Sequence, residues 1–187
     1  MNTKRFSQTL SLCVVAAILT VPMTVALMAM GPQGQTGPSG RLAVKGEVTV
    51  NGTNAISGAT VFSDSTVTTA KGSSAVVSLG KLGRVEVLPE SSVKLTFDSE
   101  SISTAMLDAG RVRVSSSSGV GATATTNDGS IVADKSDKNE FTVDTTCGDT
   151  LVSVKKGKVE LRAGDSVKQI AAGGQDTAGT ATPGCRR

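Results

Sequence analysis

The sequence predicts an all-β fold of stacked antiparallel hairpins, either a sandwich or a β-solenoid-like stack, after one N-terminal transmembrane helix. Apolar and polar residues alternate along most of the chain after Leu42, and no convincing helical period appears there. Gly, Asn, Asp and Ser separate the alternating stretches at short intervals, as in sandwiches and barrels. One long apolar run, Leu10 to Met30, precedes them and predicts the helix.

Residues 1–30 are predicted to be an N-terminal membrane anchor or signal segment. Lys4 and Arg5 are followed by no charged residue until Arg41, and the apolar run reaches the roughly 20 residues that span a bilayer core. Its end, Ala26 to Met30, is a poor match to the small-x-small pattern of a cleavage site, which favours an uncleaved anchor over a cleaved signal peptide. The two positive charges place the N-terminus in the cytoplasm. We therefore expect a single-pass protein of the bacterial cytoplasmic membrane, held in the inner membrane by residues 6–30, with its C-terminal domain in the periplasm or outside.

The remaining chain divides into three parts by composition. Residues 31–41 are rich in Gly and Pro and predict a flexible linker. Residues 42–172 hold the alternating patterns and predict the β domain. Residues 173–187 are rich in Gly and Thr and predict a disordered tail.

Within the β domain, short alternating stretches predict individual strands with one aliphatic and one polar face. Asn51-Gly52 is typical of a hairpin turn, and a short strand is expected at Ile131 to Ala133 inside a polar loop. The alternation predicts that Val87, Val112 and Leu161 are core residues, whereas Glu86, Arg113 and Glu160 are exposed. The aliphatic positions are Val48 and Val50, Val85 and Val87, Val93, Leu95 and Phe97, Val112 and Val114, Phe141 and Val143, and Val159 and Leu161, with a short apolar run at Val76 to Leu79.

One stretch of the β domain is repeated. The ten residues from Val85 to Lys94 align without gaps on the ten from Val159 to Lys168. Each copy predicts a strand, a tight turn and a second strand, which favours a repeated structural unit. Any hairpin in a Val-rich chain would give a similar pattern, and that alternative stays open.

Composition argues against an enzyme and against a nucleic-acid partner. The chain has no His, Trp or Tyr and only four Phe, so it lacks the usual general base and the aromatic platforms that stack on bases or sugars. Without Lys4 and Arg5, the 19 basic residues fall to 17 against 16 acidic ones, which gives no clustered positive field for phosphate backbones. We expect no catalytic residue, no cofactor and no metal ligand.

Two patterns could suggest chemistry despite that expectation. Ser91 to Lys94 and Ser153 to Lys156 have a Ser-x-x-Lys spacing, but residues three apart on a strand point to opposite faces. Four aspartates could suggest a calcium site, but they lack the alternating spacing of a calcium loop and predict solvated turns. These aspartates are Asp134, Asp137, Asp144 and Asp149.

Cys147 and Cys185 are a possible disulfide. Both lie in the part predicted to be exported, where disulfides persist, whereas Cys13 lies in the hydrophobic segment. A bridge would tie the tail to the domain. Two free thiols or an intermolecular link are the alternatives.

The order of several short motifs resembles the FecR domain family. The resemblance covers residues 60–172 and implies an extracytoplasmic all-β domain. The motifs are Val67 to Thr69, Gly72 to Leu79, Gly83 to Val87, Ser91 to Leu95, Ala109 to Val112, Val154 to Val159 and Leu161 to Asp165. They look like the family's threonine-ended, small-residue, Gly-started and Ser-capped strands, followed by its L-x-x-G strand, V-x-x-G-x-V hairpin and L-x-A-G turn.

The family is best known in sensors that relay a signal from an outer-membrane receptor to a sigma factor. Such sensors carry a cytoplasmic anti-sigma region before the membrane helix, and here only Met1 to about Phe6 would precede it. We therefore expect a non-catalytic binding, scaffold or sensory module of the cell envelope, with an unknown envelope protein or glycan as its partner. A regulatory sensor acting through a separate anti-sigma partner is one alternative, and an envelope hydrolase or carbohydrate-binding protein is another.

Overall fold

The computed structural model describes residues 38–187, in which strands make up nearly all of the regular structure. The predicted anchor, residues 1–30, and most of the predicted linker, residues 31–41, lie outside the described residues. Within residues 38–187, no helix is long and apolar enough to span a membrane. One 3-10 turn, Gly80–Leu82, is the single helical element of this part of the chain.

The strands are short, which suits the many β-branched and small residues of the chain. In chain order they are β1 (Ser39–Lys45), β2 (Val48–Val50), β3 (Thr53–Asn54), β4 (Thr60–Phe62), β5 (Ser65–Thr69), β6 (Ser74–Ser78), β7 (Gly83–Val87), β8 (Ser91–Phe97), β9 (Ser101–Met106), β10 (Arg111–Ser116), β11 (Gly121–Thr125), β12 (Ser130–Ala133), β13 (Asn139–Asp144), β14 (Thr150–Lys156), β15 (Lys158–Ala163), β16 (Ser166–Ala171) and β17 (Gln175–Ala178).

The strands form two sheets that share one hydrophobic core, so the all-β prediction is confirmed. Sheet A has the order β17-β14-β13-β10-β7-β6-β1-β4, and sheet B has the order β16-β15-β12-β11-β9-β8-β5-β2-β3. One neighbouring pair, β9 and β11, is parallel, which corrects the expectation of antiparallel hairpins alone. The pair is parallel because β10 lies between them in sequence and belongs to the other sheet.

The chain advances along the sandwich as it passes from one sheet to the other. From β5 onward, strand numbers rise steadily along both sheets, so each new strand is added beside an earlier one of its sheet. The predicted alternatives, sandwich and solenoid-like stack, therefore describe two aspects of one architecture. The layers are those of a sandwich, and the chain path resembles that of a solenoid.

Inward-facing aliphatic side chains form the core between the sheets. Val87, Val112 and Leu161 are each at most 1% exposed, which confirms their predicted place in the core. Glu86 and Arg113 are only partly exposed, because they pair with each other across neighbouring strands. The predicted strand at Ile131 to Ala133 and the hairpin turn at Asn51-Gly52, with both residues at positive φ, are also confirmed.

The two copies of the sequence repeat fold differently. The second copy is the hairpin β15–β16, as predicted. In the first copy, β7 belongs to sheet A and β8 to sheet B, so the turn between them crosses the sandwich and the predicted hairpin is wrong. The physical difference is burial: Val93 is fully buried, whereas its counterpart Val167 is 60% exposed on an edge strand.

Ordered structure extends beyond both predicted boundaries of the β domain. β1 begins at Ser39, inside the predicted linker. The predicted disordered tail contains β17, which pairs with β14 at the edge of sheet A. Ala178 of this strand is buried, so the alternation continues into a segment whose Gly and Thr content suggested a loose end.

Replacing Leu161 by Ala should lower the free energy of unfolding by about 2–4 kcal/mol, because it removes buried methyl groups from a closely packed core. Lys158→Ala, on the same strand but exposed, should change it by less than about 0.5 kcal/mol. Urea unfolding followed by circular dichroism measures both values, since the chain has no Trp or Tyr for fluorescence. Equal effects would mean that the register of β15 is wrong.

Candidate functional site

The outer face of sheet A is the candidate functional site. Alternation along the strands places every second side chain on this face, and the pairing register aligns them into three rows. The first row is Arg41, Ser78, Arg84, Ser115 and Glu140; the second is Ala43, Val76, Glu86, Arg113, Thr142 and Ser153; the third is Lys45, Ser74, Arg111, Asp144 and Leu151.

Three ion pairs lie on this face, each between neighbouring strands. Arg113 Nη1 lies 2.8 Å from Glu86 Oε2, and Arg111 Nε lies 2.9 Å from Asp144 Oδ2. Lys155 Nζ lies 3.0 Å from Glu140 Oε1. Because the partners are opposite or adjacent in register, the sheet itself sets the order of positive and negative groups.

Two shallow grooves meet at Arg113, Thr142 and Ser153 and form one channel across β10, β13 and β14. One groove, of about 320 Å³, continues to Leu88 and Leu151. The other, of about 430 Å³, continues to Lys155. The channel thus combines a charged centre with apolar side chains at one end, the mixture that protein recognition surfaces use.

Hydroxyl groups of Ser91, which is buried, and of Thr145, which is partly exposed, hold the backbone beneath the channel. Ser91 Oγ accepts a hydrogen bond from the Arg111 amide at 2.7 Å, although Ser91 belongs to sheet B. Thr145 Oγ1 accepts one from the Gly110 amide at 3.1 Å. A side chain at Gly110 would collide with Ser91, since an added Cβ would lie 2.6 Å from Ser91 Oγ. Arg111 therefore projects from a backbone fixed by both sheets.

The C-terminal segment closes one end of the channel. The structure joins Cys147 and Cys185 by a disulfide, with Cα atoms 5.6 Å apart, and the Thr182 amide donates to the Cys147 carbonyl at 2.7 Å. Arg187 contacts the carboxylate of Asp149 and lies 3.7 Å from that of Asp144. The sequence analysis missed this role of Arg187, although the predicted disulfide two residues earlier indicated that the segment was held near the domain.

Asp144 and Glu140 both stay ionised on this face. Burial acts to raise the pKa of Asp144, but hydrogen bonds from the Thr146 hydroxyl and amide, together with the Arg111 charge, hold that pKa below its ordinary value. The hydrogen bond from Lys155 lowers the pKa of Glu140. The negative groups of the channel are therefore charged at neutral pH.

The structure brings together two of the residues that the sequence singled out for possible chemistry, because Asp144 and Asp149 both contact Arg187. Ser91 is buried and Lys94 is exposed beside Asp64, so this pair faces opposite sides of β8 as the spacing predicts. Asp134 lies before β13 and Asp144 at its end, separated by the length of the strand. Within residues 38–187, no three His, Cys, Asp or Glu side chains lie close enough together to hold a metal ion.

A second groove, of about 360 Å³ on sheet B, contains the carboxylates of Asp134 and Glu160. The Arg162 hydrogen bond lowers the pKa of Glu160, and the Ser136 amide lowers the pKa of Asp134. Glycoside hydrolysis needs one carboxylic acid with a raised pKa. Neither carboxylate meets this requirement, so the groove gives no support to the hydrolase alternative.

Comparisons with known proteins extend the fold assignment. No protein-family profile matches the chain, and no curated protein sequence matches it. Two crystal structures of a proposed anti-sigma factor from Parabacteroides distasonis share its fold. Each matches with a TM-score of 0.50 and 19% sequence identity, over 60% of this chain and 53% of that protein, so the match spans about half of the anti-sigma protein's length.

Cleaving the Cys147–Cys185 bridge should destabilise the domain by up to about 4 kcal/mol, because the bridge closes a loop of 38 residues in the unfolded chain. Non-reducing peptide mapping of protein from an oxidising compartment should show the two cysteine peptides linked. Cys185→Ser and Cys147→Ser should be destabilised by similar amounts, since either change opens the same loop. Two freely alkylated thiols would contradict the pairing.

Asp144→Asn should lower stability at neutral pH by about 1–3 kcal/mol, because Arg111 and Arg187 lose their shared partner. Because the folded pKa of Asp144 is depressed, its contribution is complete above the unfolded pKa and is lost as pH falls through the folded pKa. The stability difference between wild type and Asp144→Asn should therefore shrink below about pH 4.

Urea melts at several pH values measure this difference. Asp165→Asn, in the exposed turn between β15 and β16, is the matched control and should follow the wild type at every pH. A difference for Asp144→Asn that stays constant down to acid pH would show that its carboxylate is not ionised in these contacts.

Proposed function

We propose that this chain is a non-catalytic, FecR-like binding module of the bacterial cell envelope, tethered to the inner membrane by residues 6–30. Its β domain recognises a protein partner through the outer face of sheet A and takes part in transmembrane signalling. The order of motifs between residues 60 and 172 and the shared fold with a proposed anti-sigma factor support the regulatory role.

The charge pattern on the outer face of sheet A carries this proposal. Fixed positive and negative groups at neighbouring positions favour one complementary partner and repel others, so they give specificity. Eight strands spaced about 4.8 Å apart make a face about 35 Å wide. With five residues per strand, the face offers on the order of 600 Å², which approaches the roughly 800 Å² per partner of a standard interface.

Site-specific photo-crosslinking in cells tests the proposal. A photoreactive residue at Thr142, in the centre of the channel, should give a discrete cross-linked species in the membrane fraction. The same residue at Thr123, in the centre of the outer face of sheet B, is the matched control and should give little.

The paired charges allow a sharper comparison. Arg113→Glu alone breaks the pair with Glu86, whereas combining it with Glu86→Arg restores a pair of reversed direction. Both variants should lose the cross-link at Thr142, because the partner's charges are complementary only to the original order of positive and negative groups. Cross-links of equal yield at Thr142 and Thr123, or yields unaffected by the reversed pair, would overturn the proposal.

A further inference from the structure

A groove of about 390 Å³ opens at the end of the sandwich where β6 ends and β7 begins. Four short segments supply its walls: the end of β6, the turn before β7, the end of β10, and the loop before β13. The charged and hydroxyl side chains that line it are Ser78, Arg84, Ser115, Ser116, Ser117 and Lys138. Gly83 lies between them, where an added Cβ would be 2.0 Å from the Ser115 carbonyl oxygen.

The cations of this groove differ from those of the neighbouring channel. Arg111, Arg113 and Lys155 each have a carboxylate partner. Among residues 38–187, neither Arg84 nor Lys138 has a carboxylate within 4.0 Å. The two cations therefore give the groove positive charge that no ion pair of the described chain takes up.

Most other charged groups around the groove are also positive. Arg41 and Lys81 lie near Arg84, in the same row and in the preceding turn, and they also form no ion pair within residues 38–187. Glu140 is the acidic neighbour in register with Ser115; its carboxylate binds Lys155, and the Arg84 charge also helps to lower its pKa.

Two hydroxyl groups at the groove lack the hydrogen bonds that buried polar atoms normally make. Ser115 Oγ, on the outer face of sheet A, is covered and has no partner within the described chain. Ser116 Oγ is also covered and unpartnered, but alternation along β10 turns it toward the inside of the sandwich. A buried hydroxyl without a partner costs free energy, and such groups in proteins are commonly explained by bound water, an ion or a ligand.

We propose that this groove binds the phosphate group of a phosphorylated small molecule. A guanidinium and an ammonium supply charge-assisted hydrogen bonds, and several serine hydroxyls can donate to the remaining oxygens. A phosphate monoester carries nearly two negative charges and three acceptor oxygens, so it uses this set of donors more fully than a planar carboxylate does. The groove exceeds one phosphate in volume and leaves room for a sugar-sized group. The groove shares the outer face of sheet A with the proposed protein-binding channel, but none of the residues that line the groove lines the channel.

Phosphorus NMR titration of the full chain, purified in a phosphate-free detergent, tests the site with glucose 6-phosphate, inorganic phosphate, glucose and acetate as probes. Glucose 6-phosphate should bind saturably and more tightly than inorganic phosphate. Acetate and glucose, added as competitors, should not displace it at equal concentration. Binding of inorganic phosphate without binding of glucose 6-phosphate would overturn the assignment of a phosphorylated small molecule to this groove.

The double variant Arg84→Gln/Lys138→Gln should weaken binding by at least about tenfold, since both charge-assisted donors are lost. Lys94→Gln/Lys158→Gln removes two positive charges from sheet B and should weaken it by less than about threefold. Both double variants alter exposed side chains, and the single variants Arg84→Gln and Lys138→Gln give the same comparison should a double variant melt early. Equal weakening by both pairs, displacement by acetate, or the absence of saturable phosphate binding would overturn the proposal.

Discussion

One aliphatic core shared by two sheets is the constraint on which the structure depends, because the chain repeatedly changes sheets to fill it. Each change leaves backbone polar groups at the rim of the sandwich, where no ladder satisfies them. Buried polar side chains form the hydrogen bonds that these backbone groups would otherwise lack. Asn139 donates to the carbonyl oxygens of Asp134 and Asp137 and accepts from the Lys158 amide, so one side chain fastens the loop before β13 to β15. Ser91 does the same where the chain crosses from β7 to β8: it donates to the Pro89 carbonyl and accepts from the Arg111 amide of β10.

Local alternation predicted where most strands lie, but it did not predict which sheet each strand joins. The repeat shows why: Val85 to Lys94 and Val159 to Lys168 have nearly the same local pattern, yet one crosses the sandwich and the other forms a hairpin. The deciding contacts join residues distant in sequence, such as Ser91 with Arg111. The tail was misjudged for a related reason. Its Gly and Thr content suits a loose end, whereas pairing with β14 and the bridge to Cys147 hold it in place.

The candidate site depends even more on long-range register. Alternation showed that Arg113 and Glu86 would face away from the core, but not that they would face each other across 27 residues of sequence. Arg111 and Asp144 are 33 residues apart and pair only because β10 and β13 are neighbours. A single sequence contains no signal for such pairs. The pairing of Cys147 with Cys185 was open to prediction because the β domain and the tail contain only these two cysteines.

The strand register fixes the charge pattern of the outer face as firmly as it fixes the core residues beneath that face. Exposed ion pairs contribute little to stability, so the pair of Arg113 with Glu86 is not what keeps the sheet together. The buried carboxylate of Asp144 is the exception on this face. The order of their charges is nonetheless fixed, because a slip of one residue between β10 and β13 would turn Val112 and Val114 outward and bury Arg113. The free energy that a register slip would cost by exposing core residues therefore also keeps the surface charges in their order. The register also fixes the position of Arg84, because Arg84 is paired with Ser78 on one neighbouring strand and with Ser115 on the other. The surface charges contribute little to stability, but the register holds them at fixed positions, and specific recognition requires such fixed positions.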